Sequence, residues 1–211
     1  NCFSCLKGLG VAVIVVVMLF SFSYTGFSQE RDWNVIIIMT DEQRADYVGY
    51  FGNRDIKTPA MDEMASRSAV FSNAFIEFPI SGPSRSAIFL SRFPHTSGTR
   101  QNNYVMDQSE TTFAEILKEN GYLTKALITN GNIKPETGFG QGFDSYVMVN
   151  DFVVEEGWVP SRERGSPWPE KEEHYGSAYT TRAGIEWLEE NYRKKFFLWI
   201  EYIDPHPGFE V

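Results

Sequence analysis

Polar side chains that could carry out chemistry occur at three places in the sequence. Three pairs of such residues follow apolar runs or stand at an expected helix start: Asp41 with Glu42, Ser81 with Arg85, and Asp204 with His206. Carboxylates can bind a divalent cation, a serine can act as a nucleophile, and a histidine can transfer a proton. Each place also has an ordinary structural interpretation, because serines often cap helices and acidic residues often lie in solvated turns. Spacing alone leaves open whether Ser81 is a helix cap or a nucleophile.

The apolar runs beside these residues predict the strands of a parallel sheet. The run NVIIIMT, from Asn34 to Thr40, is typical of a strand buried on both faces, and YLTKALIT and FFLWIEYI predict two more strands. Helical segments alternate with these runs. The sequence therefore predicts an α/β fold in which a mostly parallel sheet is sandwiched between helices. The carboxyl ends of such strands gather site-forming loops, which favours a functional interpretation of all three places together.

Local signals predict where two of the helices begin. Thr58 and Pro59 are typical of a cap and first turn, and that helix is expected to run into a short strand near Val70. Thr112 and Glu115 have the spacing of a capping box at the start of a second helix.

The region before the last strand has two contrasting parts. Residues 147–175 are rich in Glu, Pro, Gly and Trp and predict a long surface excursion. The following segment, SAYTTRAGIEWLEENYRKK, predicts a third helix with Ile185, Leu188 and Tyr192 on one face.

Composition indicates a globular protein and argues against nucleic-acid binding. The chain has 211 residues, of which 42% are hydrophobic and 15% aromatic, enough for one α/β domain with a core. Its net charge of −9 is unfavourable for neutralising phosphates, so we expect no nucleic-acid partner.

The N-terminal segment predicts export. Lys7 is followed by GLGVAVIVVVMLFSF and then by small and polar residues, the pattern of a signal peptide over 1–28 that is cleaved before Gln29. An uncleaved anchor is the alternative, although the run is short for a bilayer span. After cleavage we expect a periplasmic or secreted protein without stable membrane insertion. Cys2 and Cys5 both lie in this leader, so the exported part has no cysteine for a disulfide or a nucleophile.

The segment from Ser81 to Arg85 reads SGPSR and continues as SRFPHTSG after a few residues. It resembles the core motif of the sulfatase family of the alkaline-phosphatase superfamily, in which Cys or Ser, any residue, Pro, any residue and Arg follow one another. Three more segments resemble that family in the same order: IIIMTDEQRADYVGYFGNRDIKTPAMDEMA, GYLTKALITNGNIKPETGFGQGFDSY and FFLWIEYIDPHPGF. The chain is identified as a member, and an alkaline-phosphatase-like fold is implied.

The resemblance implies a specific chemistry for Ser81. In the family this residue is oxidised to formylglycine (3-oxoalanine), and a serine at the position implies a serine-type sulfatase-maturating enzyme as a partner. The hydrated aldehyde attacks sulfur with one hydroxyl and expels sulfate with the other. The resemblance further implies a calcium ion bound by Asp41, Glu42 and the modified Ser81. Arg85 would hold the diol or the sulfate, and His206 would bind the sulfate or protonate the leaving oxygen.

Some positions depart from the family pattern. The stretch Gly-Lys-Trp-His that most sulfatases carry is replaced by TNGNIKP, in which Lys134 is offset and Asn130 or Asn132 could line the pocket instead. We expect His95 to be structural and His174 to lie on the surface.

The resemblance also bears on the extent of the chain and on its function. Residues 29–211 are expected to be the N-terminal part of a sulfatase catalytic domain, truncated before the remaining calcium ligands and with exposed apolar edges. The leading hypothesis is a sulfatase that acts on a sulfated carbohydrate or small molecule. The alternatives are a phosphoesterase of the same superfamily and a degenerate member that binds sulfated glycans without turnover.

Overall fold

A parallel sheet of four strands organises the part of the chain that the computed structural model describes, residues 33–149 and 176–206. The strands are β1 (Val35–Thr40), β2 (Leu123–Ile128), β3 (Ser145–Met148) and β4 (Phe196–Tyr202), in the order β1-β4-β2-β3. All three pairings are parallel. Thr40 lies opposite Tyr202 and Ile128 opposite Glu201, so β1, β4 and β2 end together at one edge.

Five helices accompany the described strands. They are α1 (Pro59–Ser66), α2 (Ser81–Leu90), α3 (Pro94–Ser97), α4 (Phe113–Glu119) and α5 (Gly176–Asn191). Short 3-10 turns lie at Ala45–Tyr47, Gly49–Phe51 and Pro135–Thr137. Among the helices of residues 33–149 and 176–206, none has the length and apolar content needed to cross a membrane.

The central strand β4 is buried on both faces. Phe197 and Trp199 belong to a core cluster on one side of the sheet, where the ring centroids of Trp199 and Phe89 of α2 are 4.7 Å apart. Leu198 and Ile200 belong to a second cluster on the other side, together with Tyr179 of α5. Successive side chains of a strand point to opposite faces, so the continuous apolar run requires a cover on each side. The prediction of a parallel sheet between helices is confirmed.

The predicted start of α4 is confirmed in detail. The Thr112 hydroxyl accepts a hydrogen bond from the Glu115 backbone N–H at 3.1 Å, and the Glu115 carboxylate accepts one from the Thr112 N–H at 2.8 Å. These two bonds form the expected capping box, which satisfies donors that the first helical turn leaves free.

The three apolar residues predicted to share one face of α5 are not buried together. Ile185 is 51% exposed and Tyr192 is 59% exposed, whereas Leu188 packs against the core as expected. The buried stripe is formed by residues at four-residue spacing: Tyr179, Ala183 and Trp187. Two overlapping stripes of apolar residues run along this helix, and the stripe that faces the sheet is the one that is buried.

Two further predictions about strands are wrong. No strand forms near Val70 among the described residues; residues 67–80 are irregular, with Phe71 79% exposed and Phe75 87% exposed. The expected excursion over 147–175 begins with strand residues instead, because Val147 and Met148 pair with β2 as part of β3. A segment becomes a strand where a neighbour satisfies its backbone groups, and single-sequence patterns do not reveal that neighbour.

Other predictions concern residues outside the described ranges. The signal peptide over 1–28, with Cys2 and Cys5, lies there, as do His174 and most of the predicted excursion. The expected exposed apolar edge corresponds to β1, which ends the described sheet and carries Ile36 and Ile38 at 46% and 57% exposure.

Candidate active site

Asp41 is placed by the end of β1 at the carboxyl edge of the sheet. Its backbone N–H donates to the Tyr202 carbonyl at 2.9 Å, which continues the β1–β4 pairing by one residue. The residue is only 3% exposed. A carboxylate in such a position needs hydrogen-bond donors around it, because burial without them is costly.

Ser81 is the first residue of α2 and faces Asp41. Its hydroxyl lies 3.2 Å from Asp41 Oδ2 and donates to it. The residue in the cap position is Ile80, and no side chain caps this helix start. The cap interpretation of Ser81 is therefore wrong, because its hydroxyl is directed across the site and not back to its own helix.

The backbone next to Ser81 is held by a residue from a different loop. The Gly82 N–H donates to Asn102 Oδ1 at 2.8 Å. A Cβ atom at Gly82 would lie 3.1 Å from that same oxygen, so glycine allows this close approach. Asn102 thereby fixes the first turn of α2 beside the site, a contact that local sequence signals did not indicate.

Arg85 lies one helical turn after Ser81 and bridges two carboxylates. Its Nη2 donates to Asp41 Oδ1 at 3.0 Å and lies 2.7 Å from Glu201 Oε1, and its Nε donates to that oxygen at 2.8 Å. Arg85 is 7% exposed. The structure thus brings Asp41, Ser81 and Arg85 together, although 40 residues separate Asp41 from Ser81 in the chain.

Glu201 is a component of the site that sequence reasoning missed. It is fully buried on β4, and its Oε2 accepts a hydrogen bond from Trp199 Nε1 at 3.2 Å. Burial raises the pKa of Glu201 above its ordinary value, and the Arg85 guanidinium opposes that rise. The available signal was a charged residue within the otherwise apolar run FFLWIEYI, since such residues are rarely buried without a partner.

Asn130 enters the site from the end of β2. Its Nδ2 donates to Asp41 Oδ2 at 2.7 Å, and its Oδ1 accepts from the Asn132 backbone N–H at 2.9 Å. Asn130 is fully buried, whereas Lys134 is exposed. Of the three side chains expected to compensate for the departures from the family pattern, Asn130 is the one that contacts Asp41.

Glu42 and His206 meet beside this cluster. His206 Nε2 lies 3.4 Å from Glu42 Oε1, which joins the loop after β4 to the loop after β1. Glu42 has a left-handed backbone with φ of 58°, an uncommon conformation for a non-glycine residue. Both side chains are partly open to solvent: that of His206 is 37% exposed and that of Glu42 is 52% exposed. His95 lies elsewhere, where its ring stacks on that of Phe93 at 5.6 Å.

The donor chemistry fits calcium only in part. Asp41 and Glu42 offer the hard oxygen ligands that calcium prefers. However, within residues 33–149 and 176–206 no group of three or more His, Cys, Asp or Glu side chains is arranged to hold a metal ion. Asp41 also accepts hydrogen bonds from Ser81, Arg85 and Asn130. The described residues thus supply at most part of a coordination shell.

Comparison with known proteins identifies the family of the chain. The sequence model of the Sulfatase family matches residues 33–211. The chain belongs to the sulfatase family. An N-acetylglucosamine-6-O-sulfatase of Bacteroides thetaiotaomicron is 29% identical over 170 residues, which are 78% of this chain and 29% of that protein.

Solved structures support the fold of this sulfatase-family chain. The complex of BT4656 with its substrate D-glucosamine-2-N,6-O-disulfate matches with a TM-score of 0.65 and 25% identity, over 84% of this chain and 35% of that one. A phosphonate monoester hydrolase of Agrobacterium radiobacter gives a TM-score of 0.67 over 84% of this chain and 42% of that one; at 19% identity it indicates the shared fold alone. The chain spans less than half the length of each of these relatives.

Proposed function

We propose that the full-length protein is a sulfuric ester hydrolase that acts on a sulfated carbohydrate. The observation that carries this proposal is the contact of the Ser81 hydroxyl with Asp41, next to the buried Arg85, in a chain of the sulfatase family. The similar N-acetylglucosamine-6-O-sulfatase and the solved complex with a disulfated glucosamine support the carbohydrate class of substrate. The phosphoesterase alternative has only a fold likeness at 19% identity in its favour.

Ser81 would become active by conversion to formylglycine through a serine-type maturating enzyme. The modified side chain supplies a hydrated aldehyde whose hydroxyl attacks sulfur. The position is suitable because Ser81 begins a helix of ten residues, where backbone N–H groups and the helix dipole favour an anion. Arg85 would stabilise charge on the sulfate oxygens through its guanidinium.

His206 would serve as the proton donor for the leaving oxygen. It follows β4, and its contact with Glu42 holds the ring near the carboxyl edge of the sheet where Asp41 and Ser81 meet. An imidazole at this edge of the sheet can donate a proton to a leaving oxygen as a general acid.

Calcium would bind Asp41, Glu42 and the modified Ser81, with further ligands from outside the described residues. A bound cation would draw charge from the ester oxygens and acidify the attacking hydroxyl. The adjacent Asp41 and Glu42 carboxylates are the observation in favour of this assignment, and calcium uptake by the full-length protein is its test.

The experiment that tests this function combines mass spectrometry with hydrolysis assays. The full-length protein is produced with a serine-type maturating enzyme, and the peptide containing Ser81 is weighed; we expect a loss of two hydrogens. Ser81→Ala should abolish hydrolysis of sulfated carbohydrates, whereas the control Ser66→Ala, at an exposed serine of α1, should leave it unchanged. An unmodified Ser81 together with undiminished hydrolysis by Ser81→Ala would contradict the proposal.

We also propose that residues 1–28 are removed during export, so that the domain acts in the periplasm or outside the cell. N-terminal sequencing of the mature protein tests this proposal. A mature protein that begins at Gln29 is the expected result, and one that retains the apolar run would indicate an anchor.

A further inference from the structure

Glu201 is a buried acidic side chain that the proposed mechanism leaves without a role. It lies on β4 between Ile200, which is 6% exposed, and the strand end, and its own exposure is 0%. Both of its oxygens have donors, because Oε1 accepts from Arg85 and Oε2 accepts from Trp199. A charge placed so deeply is costly, so a specific pairing is needed to retain it.

We propose that Glu201 is a positioning residue that fixes the guanidinium of Arg85 toward Ser81 and the sulfate. This inference rests on the proposed function, since Arg85 is the group assigned to the sulfate oxygens. Glu201 itself touches neither Ser81 nor the expected substrate position through any of its hydrogen bonds, which go to Arg85 and Trp199. It would therefore act through Arg85.

The geometry around Arg85 explains why a second carboxylate is useful. A guanidinium is planar and carries five N–H donors in a fixed fork, so acceptors on two edges determine its plane. Asp41 accepts from Nη2, and Glu201 accepts from Nε on the neighbouring edge. With Asp41 alone, the guanidinium could rotate about a single contact, and the buried Nε would lose its acceptor.

The sheet holds Glu201 rigidly enough for this task. Glu201 is paired with Met39 of β1 and Ile128 of β2, so its backbone is fixed from both sides. The Thr129 hydroxyl donates to the Glu201 carbonyl at 3.0 Å, and the Trp199 indole fixes the carboxylate. Groups on central strands supported by such contacts position a site more accurately than groups on loops.

The test uses the full-length, matured enzyme and four variants. Glu201→Ala removes the acceptor, Glu201→Gln keeps an acceptor for Arg85 without the charge, and Trp199→Phe removes the indole donor while keeping an aromatic ring. Glu186→Gln is the matched control, because Glu186 forms an exposed ion pair with Arg182. The fraction of formylglycine, kcat, KM, the inhibition constant of inorganic sulfate and the melting temperature are measured for each variant.

We expect kcat/KM per matured site to fall about 10²-fold in Glu201→Ala, the effect typical of a lost or misplaced transition-state donor. Glu201→Gln should recover about tenfold of that loss, because Glu201 contributes to catalysis mainly by placing the Arg85 guanidinium and less by its own negative charge. The inhibition constant of inorganic sulfate should rise in both variants, and it should rise more in Glu201→Ala than in Glu201→Gln. Trp199→Phe should lose less activity than Glu201→Ala, and the control should match the wild type.

A purely structural role gives a different pattern. It would lower the melting temperature of Glu201→Ala while kcat/KM per matured site stays within about threefold of the wild type, and this result would overturn the proposal. If Glu201→Ala does not fold, Glu201→Gln and Trp199→Phe decide in its place, and wild-type kinetics in both would overturn it.

Failure of the proposed function has its own signature. A matured wild-type enzyme that hydrolyses no sulfate ester would contradict the proposed function. The positioning of Arg85 would then be tested by crystallography. In that case a crystal structure of Glu201→Ala with the guanidinium displaced by about 1 Å or more would support the positioning role, and an unmoved Arg85 would overturn it.

Discussion

Replacing Arg85 with methionine should destabilise the protein strongly, because two buried carboxylates would lose their shared cation. Asp41 is 3% exposed and Glu201 is 0% exposed, and both accept hydrogen bonds from Arg85. Methionine preserves much of the side-chain volume of arginine. The loss of stability therefore reflects the lost charge and hydrogen bonds more than lost packing. Removing one partner of a buried ion pair typically costs about 3–5 kcal/mol. We therefore expect the free energy of unfolding to fall by that amount at neutral pH.

The size of this loss should depend on pH in a defined direction. Burial already raises the pKa of Glu201, and Arg85 opposes the rise, so the pKa should rise further in Arg85→Met. A raised pKa means that the folded protein binds the proton more tightly than the unfolded chain. Protonation of Glu201 therefore stabilises the fold as the pH falls toward the ordinary glutamate pKa of about 4.3. The difference in stability between wild type and variant should be largest near pH 7 and smaller near pH 5.

Urea unfolding of the full-length protein, with a double variant, measures these effects. Adding Glu201→Gln to Arg85→Met removes one uncompensated charge and should restore about 1–3 kcal/mol. The control Arg182→Met breaks an exposed pair with Glu186 and should cost about 1 kcal/mol or less. An Arg85→Met variant as stable as the wild type at pH 7, or one that Glu201→Gln fails to improve, would refute the reasoning.

Three further predictions address the site itself. Ser81→Ala should lose hydrolysis but only about 1 kcal/mol of stability, the contribution of one hydrogen bond; early melting with retained activity would contradict its role. Asp41→Asn should weaken calcium binding in calorimetric titration of the full-length protein, and an absence of calcium uptake by the wild type would reject the metal assignment. Steady-state turnover should fall most in His206→Ala and least in His95→Ala, with Asn130→Ala between them. Equal losses in the two histidine variants would show that the role belongs elsewhere.

Local rules predicted those features whose contacts lie within a few residues. The capping box joins Thr112 and Glu115, which are three positions apart in the chain, and it forms as the sequence predicts. The strand Phe196–Tyr202 is equally well predicted, because a continuous apolar run requires cover on both faces. Local rules failed for α5, where the sheet and not the helix decides that Tyr179 is buried while Ile185 is exposed.

Residue order alone was sufficient to predict the parallel α/β architecture and the meeting of Asp41 with Ser81 and Arg85, because strand periodicity and the common edge of parallel strands depend only on the order of residues along the chain. The resemblance of four segments to known sulfatases indicated the family. The hydrogen-bond partners of these side chains depend on tertiary contacts. Glu201 and Asn102 were not predicted to belong to the site, and Asn130 was expected there only because of the departure from the family pattern, since all three come from separate segments whose approach depends on sheet order and register. Register places Glu201 beside the strand end that carries Asp41, and burial then makes its pairing with Arg85 necessary.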